Sequence, residues 1–451
     1  MTLIAIDWGT IGVKAIQFIL SFSILVTLHE LGHFATAKWF KCRVEKFYLF
    51  FNPWFSLWKK KIGETEYGIG WVPFGGYVKI SGMVDESMDK EQMKLPPQPY
   101  EFRSKPAWQR LIIMIGGVVV NVLLAIVIFI FIAWKWGDEY VPVSKMKYGL
   151  YADSLGRKIG LQDGDVIVAV EGKPIDKIGT ATIEMIQHVA KEITIKRDGK
   201  IINIKIPDGF IEQLNKNHGG GFTYVRAPMI VDSINSKAKI KGPAIMKGDT
   251  LIAFNDIPIT FSTDLNKFSI DTIKNKNVNL SFKRNTDTFK TTVFADDNGA
   301  MYIGYESYFN IFGSTKTTFT FIESIGEGWK NCWQTLGKYT LGLKQLFASK
   351  EIKVNDSLGS VFSIGNAFSG DINDWRGFWT MTGIFSIILA FMNILPIPAL
   401  DGGHALFTLV EMISGRKPSD KFMEYAQMAG MVLLLGLMAY ALGLDVFRMF
   451  K

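Results

Sequence analysis

Cysteine is almost missing from this chain of 451 residues, which has only Cys42 and Cys332. So low a count excludes a small scaffold held together by disulfides. Histidine is nearly as scarce. Any chemistry that needs imidazole must come from His29, His33, His188, His218 or His404. Lys and Arg exceed Asp and Glu by eight, yet the basic clusters lack the interleaved aromatics of a nucleic-acid surface. Nucleic acid is therefore not an expected partner. Charge itself is absent from three long stretches, 111–134, 379–400 and 427–444, and sparse in a fourth, 11–37. Stretches of this length and apolarity read as four helices crossing a bilayer of about 30 Å. The first lacks a small-residue cleavage site and carries Asp7 and Lys14, so it reads as a retained span and not a removable signal.

Basic residues set the expected orientation. Lys38, Lys41, Arg43, Lys46, Lys59, Lys60 and Lys61 follow the first stretch, Arg103, Lys105 and Arg110 precede the second, and Arg416, Lys417 and Lys421 lie between the last two. By the positive-inside rule these loops are cytoplasmic, and 137–377 and both termini are extracytoplasmic. Cys42 and Cys332 then fall on opposite sides, and no disulfide joins them.

Within 137–377 one pattern occurs twice. Gln162-Asp163-Gly164-Asp165 leads into Val166-Ile167-Val168-Ala169-Val170 and on to Pro174-Ile175, and Met246-Lys247-Gly248-Asp249 leads into Thr250-Leu251-Ile252-Ala253-Phe254 and Pro258-Ile259. This is an internal duplication of a small module with a Gly-Asp turn and alternating strands. Only this region is duplicated, which speaks against a transporter built from repeated spans. A further stretch, 319–347, has Trp329, Trp333, Leu336, Leu343 and Leu346 at helical spacing. It reads as an amphipathic helix, either on the outer membrane surface or packed in the soluble region.

The chemistry is concentrated in His29-Glu30-Leu31-Gly32-His33, inside the first apolar stretch. Two His at i and i+4 share a helix face and can reach one Zn²⁺, with the Glu between them as general base. Ionisable residues at membrane depth are costly unless paired or bound to metal. A catalytic zinc takes three protein ligands, and the end of the third stretch offers Asp401 in Asn393-Ile394-Leu395-Pro396-Ile397-Pro398-Ala399-Leu400-Asp401-Gly402-Gly403-His404. The two prolines break the helix there. Asp401 reads as a zinc carboxylate or, alternatively, as a helix cap for 402–413. His404 reads as a supporting residue, because a fourth protein ligand would close the site, and His188 and His218 have no expected metal role.

These motifs, with a duplicated insert between them, resemble the site-two protease family of intramembrane zinc metalloproteases. The likeness extends to Val72-Pro73-Phe74-Gly75-Gly76-Tyr77-Val78-Lys79, which resembles that family's membrane-associated β-hairpin. The chain departs from the family at Gly116-Gly117, where Gly-Pro is usual, and at Ser357-Leu358-Gly359-Ser360, where Ser-Gly-Pro is usual. The resemblance implies a polytopic α-helical membrane protein with two tandem PDZ-like α+β domains of the circularly permuted kind inserted between spans two and three. The implied boundaries are a catalytic membrane region in 1–136 and 378–451, PDZ-like domains in 137–223 and 224–308, and a linker in 309–377. It also implies a bacterial inner-membrane enzyme that cuts single-pass membrane proteins, such as anti-sigma factors or signal-peptide remnants, after a first extracytoplasmic cut. Zn²⁺ would be held by His29, His33 and Asp401, with Glu30 as base and Asn393, Asn121, Gly75, Gly76 and Tyr77 near substrate. The lipid bilayer and peptide termini bound by strand addition at the PDZ-like domains are the other expected partners. A non-catalytic membrane scaffold, with the modules as spacers, is the main rival reading and would have no use for Glu30.

Overall fold

The computed structural model describes residues 8–83, 96–217, 220–357, 359 and 361–449. His218 and part of the 357–360 motif lie outside them. Among the described residues four helices are long and apolar enough to cross a membrane: Trp8–Trp39, Ala107–Trp136, Trp375–Ile394 and Asp420–Met449. They coincide with the four apolar stretches of the sequence. The described residues fall into two compact units, one drawn from 8–137, 318–340 and 359–449, the other from 138–317 and 341–357.

In the first unit the second span packs against spans one and three and against a further helix, Asp401–Ser414. Small residues permit the closest approach. A Cβ on Gly32 would lie 2.4 Å from the Gly116 carbonyl oxygen, and one on Gly116 would lie 2.8 Å from the Gly32 carbonyl oxygen. Buried hydroxyls stitch the same helices: Thr382 Oγ1 donates to Ser21 Oγ at 3.0 Å, and Ser386 Oγ donates to the Asn121 carbonyl at 2.7 Å.

The expected hairpin at 72–79 is instead one strand of a mixed four-stranded sheet. Strands β1 (Val44–Phe51), β2 (Trp58–Ile62), β3 (Thr65–Ile69) and β4 (Val72–Ile80) stand in the order β2-β3-β1-β4. β1 is parallel to β3 and antiparallel to β4, so β4 is an edge strand with one side unpaired. The sheet lies along span one: Phe34 meets Phe47 edge to face, and a Cβ on Gly76 would come within 3.3 Å of Val26. Three consecutive lysines, Lys59 to Lys61, conceal β2 in the sequence; the strand is exposed along its whole length, so it shows no apolar alternation.

The helix Phe321–Ala348 replaces the expected surface or soluble helix. Its early part packs on spans, with Cys332 buried among Ala125, Phe129 and Ile387, and Tyr339 against Phe391. A Cβ on Gly328 would collide with Ile130 at 2.5 Å. Amphipathicity alone does not separate a lipid-facing stripe from one that meets other helices.

The second unit holds the duplication. β5 (Asp138–Tyr140) leads to β6 (Leu150–Ala152), β7 (Val166–Val170), β8 (Lys173–Pro174), β9 (Glu192–Arg197), β10 (Lys200–Lys205) and β11 (Thr223–Val225), with a sheet β10-β9-β7-β8 and a β6-β11 pair. The second copy runs β12 (Val231–Ile234), β13 (Lys239–Lys241), β14 (Thr250–Phe254), β15 (Ile257–Pro258), β16 (Asn277–Arg284), β17 (Asp287–Phe294) and β18 (Ile303–Tyr305). Its sheet is β13-β17-β16-β14-β15, with a β12-β18 pair. β19 (Thr315–Thr317) returns to pair with β5.

The copies agree in detail. Arg197 forks onto Asp165 and Arg284 onto Asp249, through Nε and Nη2 at 2.7–2.8 Å in both. Each Asp also accepts from a turn amide, Gln162 in one and Met246 in the other. The same bulge interrupts β7 between Ile167 and Ala169 and β14 between Leu251 and Ala253. The Gly-Asp turn seen in the sequence is thus a buried bidentate ion pair that anchors each module's turn to its own sheet. The first copy adds helices Ala181–His188 and Phe210–Lys216, which the second lacks.

Candidate metal centre

Span one brings His29 and His33 onto one face, and both are buried. Asp401 reaches them from the far side of the chain. Residues Leu395 to Leu400 break the third span in tight turns, with Ile397 N–H donating to the Leu395 carbonyl and Leu400 N–H to the Ile397 carbonyl. The turns fold back on the helix that follows. A Cβ on Gly402 would lie 2.3 Å from the Leu395 carbonyl oxygen, and one on Gly403 would lie 2.4 Å from the Ile397 carbonyl oxygen. Only glycine fits at either position, which explains the Asp-Gly-Gly sequence. Leu400 occupies the N-cap position without a side-chain cap, so Asp401 is not spent on capping.

The carboxylate turns to the histidines. Asp401 Oδ2 is 3.2 Å from His29 Nε2 and 3.2 Å from His33 Nε2, and the two Nε2 atoms are 3.3 Å apart. Among the described residues no hydrogen-bond donor satisfies this buried oxygen. Tetrahedral zinc with bonds of roughly 2.0–2.2 Å needs ligand atoms about 3.3–3.6 Å apart, and the triangle lies at the short end of that span. Among the described residues this is the one group of three or more His, Cys, Asp or Glu whose ligand atoms converge in this way.

The outer nitrogens decide which tautomer faces the triangle. His33 Nδ1 lies 2.8 Å from the Ile113 carbonyl oxygen, which can only accept, so Nδ1 carries the proton and Nε2 keeps its lone pair. For His29 the partner is Asn121, whose Nδ2 is placed 3.1 Å from Nδ1 while its Oδ1 is buried without a partner. The two amide positions differ only by a half turn of the side chain. Exchanging them satisfies the orphaned oxygen and lets His29 Nδ1–H donate to it, again leaving Nε2 with its lone pair toward Asp401. Both imidazoles are then prepared as ligands.

Asn121 is thus a correction to the substrate-binding set: it is fully buried behind His29 and its amide is used there. Asn393 lies beside the triangle, with Nδ2 3.4 Å from His29 Nε2. Glu30, Gly76, Tyr77, Val78 and His404 line a cavity of about 420 Å³ that opens on the triangle, together with Met114, the 399–401 turn and Gln427. Glu30 sits by the Val78 backbone N–H of edge strand β4. Tyr77 OH donates to Asn52 Oδ1 at 3.0 Å, and burial pushes the phenol up to about 12. His188 is remote, paired with Glu184 on its own helix.

Gly117, which in the sequence marks only a departure from the family's Gly-Pro, leaves room for the imidazoles. A Cβ there would lie 2.5 Å from His33 Nε2 and 2.6 Å from His29 Cε1. The Gly116-Gly117 pair in a run of β-branched residues was the available signal.

The profile of Peptidase family M50 matches residues 17–437. Three similar proteins each carry the name "Putative zinc metalloprotease". One from Treponema pallidum is 25% identical over 438 residues, covering 93% of this chain and 95% of the relative. One from Vibrio cholerae is 27% identical over 459 residues, covering 96% and 98%. One from Borreliella burgdorferi is 26% identical over 446 residues, covering 94% and 96%.

Proposed function

This chain belongs to peptidase family M50, the site-two proteases, and from that premise we propose that it is a zinc metalloprotease that cuts single-pass membrane proteins within or near their membrane-spanning helix. The observation that carries the reading is the triangle of His29, His33 and Asp401 atoms at zinc-ligand spacing beside Glu30, all on elements that adjoin membrane spans. A scaffold or transporter gives no reason for that set.

His29 and His33 would hold zinc through Nε2 and Asp401 through Oδ2. When bound, zinc supplies Lewis acidity, lowering the pKa of water and polarising a carbonyl. Glu30 takes the proton of the attacking water on a carboxylate oxygen and delivers it to the leaving amine. Ile113 and Asn121 keep both imidazoles in the ligating tautomer. A substrate helix hides its peptide bonds in internal hydrogen bonds, so it must unwind before it is cut. The unpaired edge of β4, beside Glu30, offers a strand for the unwound segment to pair with.

The basic loops favour a zinc site toward the cytoplasm and an extracytoplasmic insert. The two modules, read as PDZ-like domains, then act on peptide termini left by an earlier cut and govern which substrates enter. Their duplicated strand order and anchored Gly-Asp turns support a recognition role distinct from the chemistry. The test is cleavage of a single-span peptide in proteoliposomes by the wild-type chain and by Glu30→Gln. The wild type cuts, and the variant loses at least about 100-fold in rate while keeping its zinc. Undiminished cleavage by Glu30→Gln would overturn the assignment.

A further inference from the structure

Span four brings one polar side chain into the catalytic cavity. Gln427 is 95% buried, its exposure being 5%, and it lines the cavity with His29, Glu30, His33 and Asp401. Among the described residues no group hydrogen-bonds to its amide. A largely buried primary amide without a protein partner gains by taking one from within the cavity it faces. One turn further on, span four presses against the turn that delivers Asp401: a Cβ on Gly430 would lie 2.7 Å from the Ala399 backbone nitrogen. Gln427 is therefore fixed beside the centre by a contact that does not use its amide.

The other polar side chains of the cavity are committed. His29, His33 and Asp401 form the metal triangle, His404 has an interaction of its own, Tyr77 donates to Asn52, and Glu30 serves as base. An unwound substrate strand has two edges of N–H and C=O groups. β4 satisfies one; the other strand that reaches the cavity, β1 through Phe51, is already paired on both sides with β3 and β4. A primary amide offers both a donor and an acceptor, the complement of a peptide group.

We propose that Gln427 hydrogen-bonds the backbone of the substrate on the edge that β4 leaves unpaired, and so holds the peptide in the extended form needed for cleavage. The inference rests on the protease reading above and adds a substrate-binding residue to it. It assigns the recognised chemistry to the peptide backbone, not to any side chain, so it would serve substrates of differing sequence.

The experiment measures binding separately from cleavage. A fluorescent single-span peptide of about 20 apolar residues, with a Gly-Ser pair at its centre, is titrated against the full chain in nanodiscs in the Glu30→Gln background. Gln427→Leu and the nearly isosteric Gln427→Met are compared with Gln427, and zinc is measured in each. The expected result is about 5- to 10-fold weaker binding in both variants with zinc retained. Replacing one backbone amide near the Gly-Ser pair by an ester should weaken binding to the Gln427 protein and not to Gln427→Met. Unchanged affinity, normal binding by Gln427→Met, or loss of zinc in either variant would overturn the proposal; the last would make Gln427 part of the metal site. Cleavage by the chain with Glu30 intact is assayed in parallel. Its absence counts against the protease reading alone, while the binding data still decide the role of Gln427.

Discussion

At the scale of single residues, the centre depends on what is absent as much as on the ligands. Gly117 leaves the space into which both imidazoles turn, and a methyl group there would sit 2.5 Å from His33 Nε2. Gly117→Ala should therefore weaken zinc binding by 10-fold or more, an effect of the size seen when groups supporting a metal ligand are removed. Competition with a chelating dye measures this, and an unchanged affinity would mean that the helices yield at no cost. The three residues that converge were candidates from the sequence, because the i, i+4 spacing of His29 and His33 and the helix-breaking prolines before Asp401 are local signals. The groups that surround them were not. The Ile113 carbonyl, the Asn121 amide and Gln427 reach the site from spans two and four, and nothing local to those positions announces which face meets the histidines.

At the scale of elements, the two copies in the insert show how a short motif becomes a structural device. The Gly-Asp turn recurs because its carboxylate anchors an Arg from a distant strand, Asp165 with Arg197 and Asp249 with Arg284. The Arg284 guanidinium beside Asp249 holds that carboxyl below its usual range, with turn amides assisting against burial. A carboxyl depressed in this way stabilises the fold fully above its unfolded value of about 4, and the contribution is lost as pH falls through the lower folded value. The protection of β14 to β17 against hydrogen exchange in the full chain, taken relative to the intrinsic amide rate at each pH, should therefore fall below about pH 4. Asp249→Asn should already show quickened exchange at neutral pH and a smaller further change on acidification. An acid response identical to that of the unaltered chain would remove the pair from the account. The sheet of β1 to β4 was the element least visible in the sequence. Only 72–79 was expected to be extended, as a hairpin, because β2 is a run of Trp and Lys with no alternation and β1 follows directly on the basic residues that end span one.

At the scale of the whole molecule, the hydropathy of the chain already divided it into four membrane stretches and an insert, and the four long apolar helices lie where those stretches do. Length and apolarity suffice for that division, since both are set by the bilayer and not by tertiary contacts. What hydropathy could not supply was the packing order, in which the second span touches spans one and three and the helix of Asp401. That arrangement joins residues 29, 33 and 401 into one site. The most direct test of the account is the zinc content of the purified full-length chain by elemental analysis, compared with His29→Ala/His33→Ala and Asp401→Ala. The account predicts one zinc per wild-type chain, almost none in the double histidine variant, and a greatly weakened, readily chelated zinc in Asp401→Ala. One tightly held zinc in all three would contradict it, because the metal would then lie elsewhere.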